Sequence, residues 1–258
     1  MVPATLVSVW LGGTWLLLVI ALVLSAAVIE FCRLMQRDGF AVSSIWALAL
    51  LGVLLVDAQF PGRNVLQPGV VFVLMGSVLC KMRRHGASPV AEWALGVVGP
   101  LYIGGLGVYI IHLRSLPDGL WWLLVVFPAI WLADSAAYSV GRAWGRHKLA
   151  PVLSPNKTWE GYIGGVVAGT LAAAGLAALW GLREGVSHPT PLEGMAAGFL
   201  VAVFAPLGDL VVSMIKRHVG VKDSGTIFPG HGGAFDRIDS LLWAAVIGYY
   251  FALWFAGF

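Results

Sequence analysis

The run Leu192–Met214, LEGMAAGFLVAVFAPLGDLVVSM, decides the fold. It is long enough to cross a bilayer as one helix, which takes about 20 predominantly apolar residues, and it carries a carboxylate, Asp209, near its far end. Outward from it, similar runs fall at about Val7–Cys32, Ala41–Gln59, Val65–Cys80, Val90–His112, Gly119–Tyr138, Trp159–Leu182 and Ile238–Phe258. The chain is 59% hydrophobic and 11% charged, with a mean hydropathy of +0.86, whereas soluble domains are roughly 25% charged. The expectation is an all-α polytopic integral membrane protein of about eight transmembrane helices, within a range of seven to nine. Val65–Cys80 contains Pro68 and Gly69, so that span is expected to be tilted, broken or only partly inserted.

The 16 Lys and Arg residues orient these spans. Arg33, Arg37, Lys81, Arg83, Arg84, Arg142, Arg146, Lys148, Lys157, Lys216, Arg217, Lys222 and Arg237 fall in one set of loops; Arg63, Arg114 and Arg183 fall in the other. The positive-inside rule makes the rich set cytoplasmic. The net charge of +3 then follows from topology and attraction to anionic lipid, and nucleic acid is not an expected partner. Cys32 and Cys80 have no metal-ligand spacing and are not expected to form a disulfide. Val7–Cys32 is too long for the apolar core of a signal peptide and reads as a retained span.

Two regions are expected: N-terminal membrane helices over 1–85, and a C-terminal catalytic membrane region over 86–258 with cytoplasmic loops at 142–158 and 215–237. The later region alone has Asp134, Glu160 and Asp209 in or at helices. Gly161, Gly165 and Gly169 give one span a small-residue face suited to close helix packing.

The chemistry concentrates in Val212–Ser240, VSMIKRHVGVKDSGTIFPGHGGAFDRIDS. Asp209, just before it, is an ionisable group in an apolar helix, which marks a functional residue by default. Ser213 lies one turn on, and Lys216 or Arg217 can share the same face. Asp236 and Asp239 are three apart at the start of the last span; carboxylates held that close repel, and a hard cation such as magnesium relieves the repulsion. Helix capping is the other reading, more readily for Asp239 than for Asp236. Pro229–Gly233 can turn sharply and present backbone N–H groups to an anion. Beside Lys216, Arg217, Lys222 and Arg237, Gly230, Gly232 and Gly233 become a candidate phosphate cradle. His231 can donate to phosphate, move a proton, or only bond the backbone.

A second polar element, Ser154–Gly161 (SPNKTWEG), offers Lys157 for phosphate. Lys157 and Glu160 have the spacing of a local ion pair, and Ser154 or Asn156 is a candidate helix cap. Asp134, inside an apolar helix, is either functional or a helix-to-helix hydrogen-bonding group. GxxxxGK[ST], HExxH, GxSxG and CxxC patterns are absent, which removes the common NTPase, zinc-protease, serine-hydrolase and thiol-redox sites. Carboxylates and bases at a membrane surface suit metal-assisted phosphoryl or nucleotidyl transfer.

Ser213, Lys216-Arg217, Lys222-Asp223, Pro229–Gly233, Asp236-Arg237 and Asp239 together resemble the C-terminal motif of the phosphatidate cytidylyltransferases (CDP-diacylglycerol synthases). Gly208-Asp209-Leu210, SPNKTWEG and the Asp134 helix resemble that family too; the first half of the chain does so only by hydropathy. The resemblance implies that CTP and phosphatidate give CDP-diacylglycerol and pyrophosphate, in a homodimeric, multi-pass enzyme of the cell membrane working at its cytoplasmic face. It implies magnesium held by Asp209 and Asp236, with Ser213, Lys222, Asp223 and Asp239 around it, and potassium as a monovalent companion. Family members commonly carry a further helix upstream of a pattern like Glu30, Phe31 and Arg33, where this chain has only Met1–Leu11. The expectation is therefore eight spans or a start later than the family's. The competing readings are a CDP-archaeol synthase, a CTP-dependent polyprenol kinase and, from another class, an ion-coupled transporter.

Overall fold

The computed structural model describes residues 2–83, 88–182, 188–226 and 232–255. The helices run α1 (Val2–Leu11), α2 (Gly13–Arg37), α3 (Ser44–Gln59), α4 (Leu66–Arg83), α5 (Pro89–Gly107), α6 (Tyr109–Ser115) and α7 (Gly119–Trp144). A two-stranded antiparallel hairpin, β1 (Lys148–Ala150) and β2 (Ser154–Thr158), separates α7 from α8 (Trp159–Trp180); α9 (Pro191–His218) and α10 (Phe235–Phe255) complete the chain. Among the described residues seven helical segments are long and apolar enough to span a bilayer: α2, α4, Pro89–Ser115, α7, α8, α9 and α10. The apolar α3, at 16 residues, is shorter. The protein is thus helical and multi-pass, with one small hairpin.

Large apolar side chains such as Leu22, Ile45 and Phe72 point outward and are more than 70% exposed. Water would penalise that surface, whereas lipid tails solvate it. The first apolar run is not one continuous helix: it breaks at Gly12, whose φ of 64° is open to glycine at little steric cost.

The chain divides into two compact units. One comprises Met1–Trp10, His112–Met214 and Asp239–Phe258; the other comprises Leu11–Ile111 and Ile215–Ile238. The first is built on the pairing of α7 with α8. Gly161, Gly165 and Gly169 are buried along α8, and a β-carbon added to them would press on the Ala137 carbonyl, the Ala133 carbonyl and the Ala133 side chain of α7. The glycine face therefore packs helices within this chain. Val125, Ala129, Ala173 and Ala177 continue the seam as a buried apolar cluster. The second unit packs α2, α3 and α5 together: Phe31 and Leu24 of α2 lie against Gly99 and Gly107 of α5, and Leu51 of α3 lies against Gly104.

Candidate active site

In the first unit, the hairpin and three helices gather one set of polar groups. β1 and β2 pair Lys148 with Thr158 and Ala150 with Ser154. The hairpin is tied to the start of α8 by Glu160, which accepts from the Arg146 backbone N–H at 3.1 Å and lies 2.6 Å from His147 Nδ1. The cap of α8 is Thr158, whose hydroxyl accepts from Gly161 N–H at 3.2 Å; neither Ser154 nor Asn156 fills that place, because both belong to β2. With Glu160 turned to His147, Lys157 does not make the local pair expected from its spacing. Its ammonium reaches α9 instead, 2.5 Å from Asp209 Oδ2 and 3.5 Å from the Pro206 carbonyl.

Pro206 stands inside α9, where a proline removes one rung of the helix ladder. Near it α9 receives lateral donors: Tyr162 Oη donates to the Val203 carbonyl at 2.8 Å, and Lys157 to that of Pro206. Asp209 follows, half-buried, with Ser213 Oγ donating to its Oδ1 at 3.4 Å. The Asp239 carboxyl of α10 lies within hydrogen-bonding reach of Asp209. Asp134 of α7 lies in the field of both Lys157 and Asp209, and its side chain is exposed. Gly208 allows this approach, since a β-carbon there would strike the Asp239 carbonyl. Asp134 and Asp209 thus stand near Lys157, with Asp239 beside Asp209.

Among the described residues no group of three or more His, Cys, Asp or Glu side chains is arranged to hold a metal ion. The chemistry nevertheless fits magnesium. It takes one or two carboxylates together with substrate phosphates and water, and Asp209 and Asp239 offer two neighbouring carboxylates.

In the second unit, Asp236 is fully engaged. Its Oδ1 accepts from Lys216 Nζ at 2.6 Å, and its Oδ2 accepts from the backbone N–H groups of Ser224 (2.8 Å) and Gly233 (3.0 Å) and lies 2.9 Å from Ser224 Oγ. Gly232 has φ 79°, and a β-carbon on it would come within 2.7 Å of Asp236 Oδ2. Lys222, Asp223, Arg217 and Arg237 are exposed, and Arg217 Nη1 donates to the Val221 carbonyl at 3.3 Å. Gly230 and His231 lie outside the described residues.

Two residues of this unit have no site role in the sequence: Ser224 is not singled out there, and Glu30 stands only in the family pattern with Phe31 and Arg33. Ser224 is buried at 4% exposure and bonds Asp236. Glu30 of α2 is buried at 1% and accepts from Ser224 Oγ (2.8 Å), Ala234 N–H (2.9 Å) and Phe235 N–H (3.0 Å). The rule that singled out Asp134 and Asp209, an ionisable group in an apolar helix, applies equally to Glu30.

A sequence model of the cytidylyltransferase family matches residues 1–255. The phosphatidate cytidylyltransferase of Staphylococcus haemolyticus is 35% identical over 237 residues, covering 90% of this chain and 87% of that protein. The enzyme of the same name from Bacillus subtilis is 34% identical over 235 residues, covering 88% and 84%. That from Staphylococcus aureus strain COL is 36% identical over 202 residues, covering 77% and 74%. The match runs through both units and through every polar group described above, and the chain therefore belongs to the cytidylyltransferase family, a family of nucleotidyltransferases.

Proposed function

We propose that this chain transfers the cytidylyl group of CTP to phosphatidate, forming CDP-diacylglycerol and releasing pyrophosphate. The observation that carries this reading is the Asp209, Asp239 and Lys157 group, set on helices long and apolar enough to cross a membrane. A lipid substrate needs its headgroup chemistry beside helices that can solvate its acyl chains, and this chain supplies both.

The phosphate oxygen of phosphatidate is itself the nucleophile. It attacks the α-phosphorus of CTP, the new P–O bond forms as the bond to the β-phosphate oxygen breaks, and pyrophosphate leaves with the electron pair. Such a step asks the protein for positioning and charge stabilisation more than for covalent chemistry. Asp209 and Asp239 would hold magnesium, with Ser213 orienting Asp209; the bound ion supplies neutralisation of phosphate charge. Lys157 balances Asp209 and is placed to meet a phosphate. In the second unit, Gly232 and Gly233, with Lys216, Arg217, Lys222 and Arg237, would bind the triphosphate. There both Asp236 oxygens already hold donors, Lys216 on one and the Ser224 and Gly233 N–H groups on the other, whereas Asp209 has a second carboxylate, Asp239, beside it, so Asp236 is assigned to holding Ser224 and Gly233.

Placement of the chemistry at the cytoplasmic face of the cell membrane is supported by the uneven division of basic residues among the loops. Cysteines placed at positions 148 and 222 in a cysteine-free background should react with an impermeant reagent from the cytoplasmic side, and those at 63 and 114 from the other; labelling of 222 only from outside contradicts the orientation. A homodimer and a potassium ion rest on the family resemblance alone. The choice of lipid is tested by offering the purified protein CTP with phosphatidate, with a polyprenol or with the phosphate of an archaeal ether lipid. Phosphatidate should be consumed far faster than either, and a preference for the polyprenol would replace this reading with a kinase.

A further inference from the structure

We propose that Glu30 is a positioning residue for the glycines that bind CTP, holding Ser224 on one side of them and the Ala234 and Phe235 backbone on the other. The inference rests on the reading above, in which Gly232 and Gly233 contact the triphosphate.

The geometry is specific. On the entry side Glu30 Oε2 stands 2.8 Å from Ser224 Oγ, and on the exit side the Ala234 and Phe235 N–H groups donate to Oε1 and Oε2 at 2.9 and 3.0 Å. A side chain more than 200 residues away in sequence thus satisfies the opening N–H groups of α10, work ordinarily left to a neighbouring capping residue. The adjacent Phe31 repeats the contact in apolar form, its ring edge-on to that of Phe235 with centroids 6.4 Å apart. Gly225 and Gly233 come so close to the carboxylate that β-carbons added to them would collide with Glu30 oxygens. A side chain at Gly225 or Gly233 would therefore have to displace the Glu30 carboxylate.

Glu30 is coupled onward through Ser224. Its hydroxyl lies 2.8 Å from Glu30 Oε2 and 2.9 Å from Asp236 Oδ2, and with one proton to give it donates to one carboxylate at a time. Movement of the Glu30 anchor is therefore felt at Asp236, whose remaining bonds go to Lys216, Ser224 N–H and Gly233 N–H. Glu30 is buried, at 1% exposure, and acts on substrate only through these neighbours.

Glu30→Gln keeps the size of the side chain but replaces one acceptor oxygen with a donor, which must then oppose a backbone N–H or the serine hydroxyl. In the purified full-length protein the KM for CTP should rise at least about tenfold, with the KM for phosphatidate unchanged within twofold and thermal unfolding shifted by only a few degrees. A merely structural Glu30 would lower the active fraction and the unfolding temperature while leaving both KM values alone, and that result overturns the proposal. Ser224→Ala and Gly225→Ala disturb the same anchor independently and should each raise the KM for CTP selectively; the Glu30→Gln, Ser224→Ala double variant should be little worse than Glu30→Gln alone. If Glu30→Gln does not fold, the two loop variants decide, and an unchanged KM for CTP in both refutes the role. An active wild-type enzyme with these variants unaffected removes this inference alone, whereas a wild type that makes no CDP-lipid removes the functional reading beneath it.

Discussion

Lys157 of β2 and Asp209 of α9 meet at 2.5 Å, with side chains 26% and 29% exposed. A fully solvated pair at that distance would contribute little, about 0–1 kcal/mol. This one is held by a hairpin on one side and a proline-containing helix on the other, and it lies among further carboxylates, so its consequence is electrostatic control of the group more than stability. Lys157→Met should lower kcat/KM by about 10²-fold, the scale seen on removing one charge-stabilising donor, with little change in unfolding temperature. Activity near wild type in a correctly inserted Lys157→Met protein would show that the pair is only a tether.

The three aspartates of α9 and α10 should separate by their magnesium response. Asp209→Asn and Asp239→Asn are expected to cut turnover by about 10²–10³-fold and to raise the magnesium concentration for half-maximal activity. Asp236→Asn leaves Lys216 and the Ser224 and Gly233 donors facing an amide, at a cost of about 1–3 kcal/mol in stability. Its magnesium requirement should stay within twofold of wild type. A large magnesium shift in Asp236→Asn, with none in Asp239→Asn, would move the metal to Asp236.

Packing of α7 on α8 gives a test independent of catalysis. A β-carbon at Gly165 would stand 2.9 Å from the Ala133 carbonyl and 3.0 Å from the Ala137 side chain, while one at Gly175 meets nothing within 4 Å. Gly165→Val should destabilise the protein by about 1–3 kcal/mol through overpacking, and Gly175→Ala should leave stability unchanged or slightly improved. Equal effects at the two positions in thermal unfolding would argue against this helix pairing.

Hydropathy made the helices and the membrane class legible, because a bilayer demands long apolar runs whatever the tertiary contacts. It did not reveal the break at Gly12 or the short hairpin, which depend on local backbone geometry in segments without periodicity. Asp134, Asp209, Asp236 and Asp239 stood out as charges at or within apolar runs. Their partners did not: Lys157 sits three residues from Glu160 and pairs with Asp209 instead, since β2 directs it away from the α8 face on which that spacing operates. The role of Glu30, named in the sequence only as part of a family pattern, was not legible because its donors, Ser224, Ala234 and Phe235, are distant in sequence and two of them are backbone N–H groups, which no residue pattern displays.

The reaction path is testable at phosphorus. The proposed step uses the lipid phosphate directly and forms no cytidylyl-enzyme, so CTP made chiral at the α-phosphorus by sulfur substitution should give a CDP-lipid of inverted configuration. Retention, or cytidylate trapped on the protein when phosphatidate is left out, would require two displacements and a covalent carrier such as Ser213.

The most direct measurement is the fate of two labels in one assay of the purified protein with phosphatidate and magnesium. Label in the α-phosphate of CTP should appear in the lipid product, and label in the γ-phosphate should appear only in released pyrophosphate, with neither transfer occurring when phosphatidate is omitted. Label from the γ-phosphate in the lipid, or CTP left intact beside phosphatidate and magnesium, would contradict cytidylyl transfer by this chain.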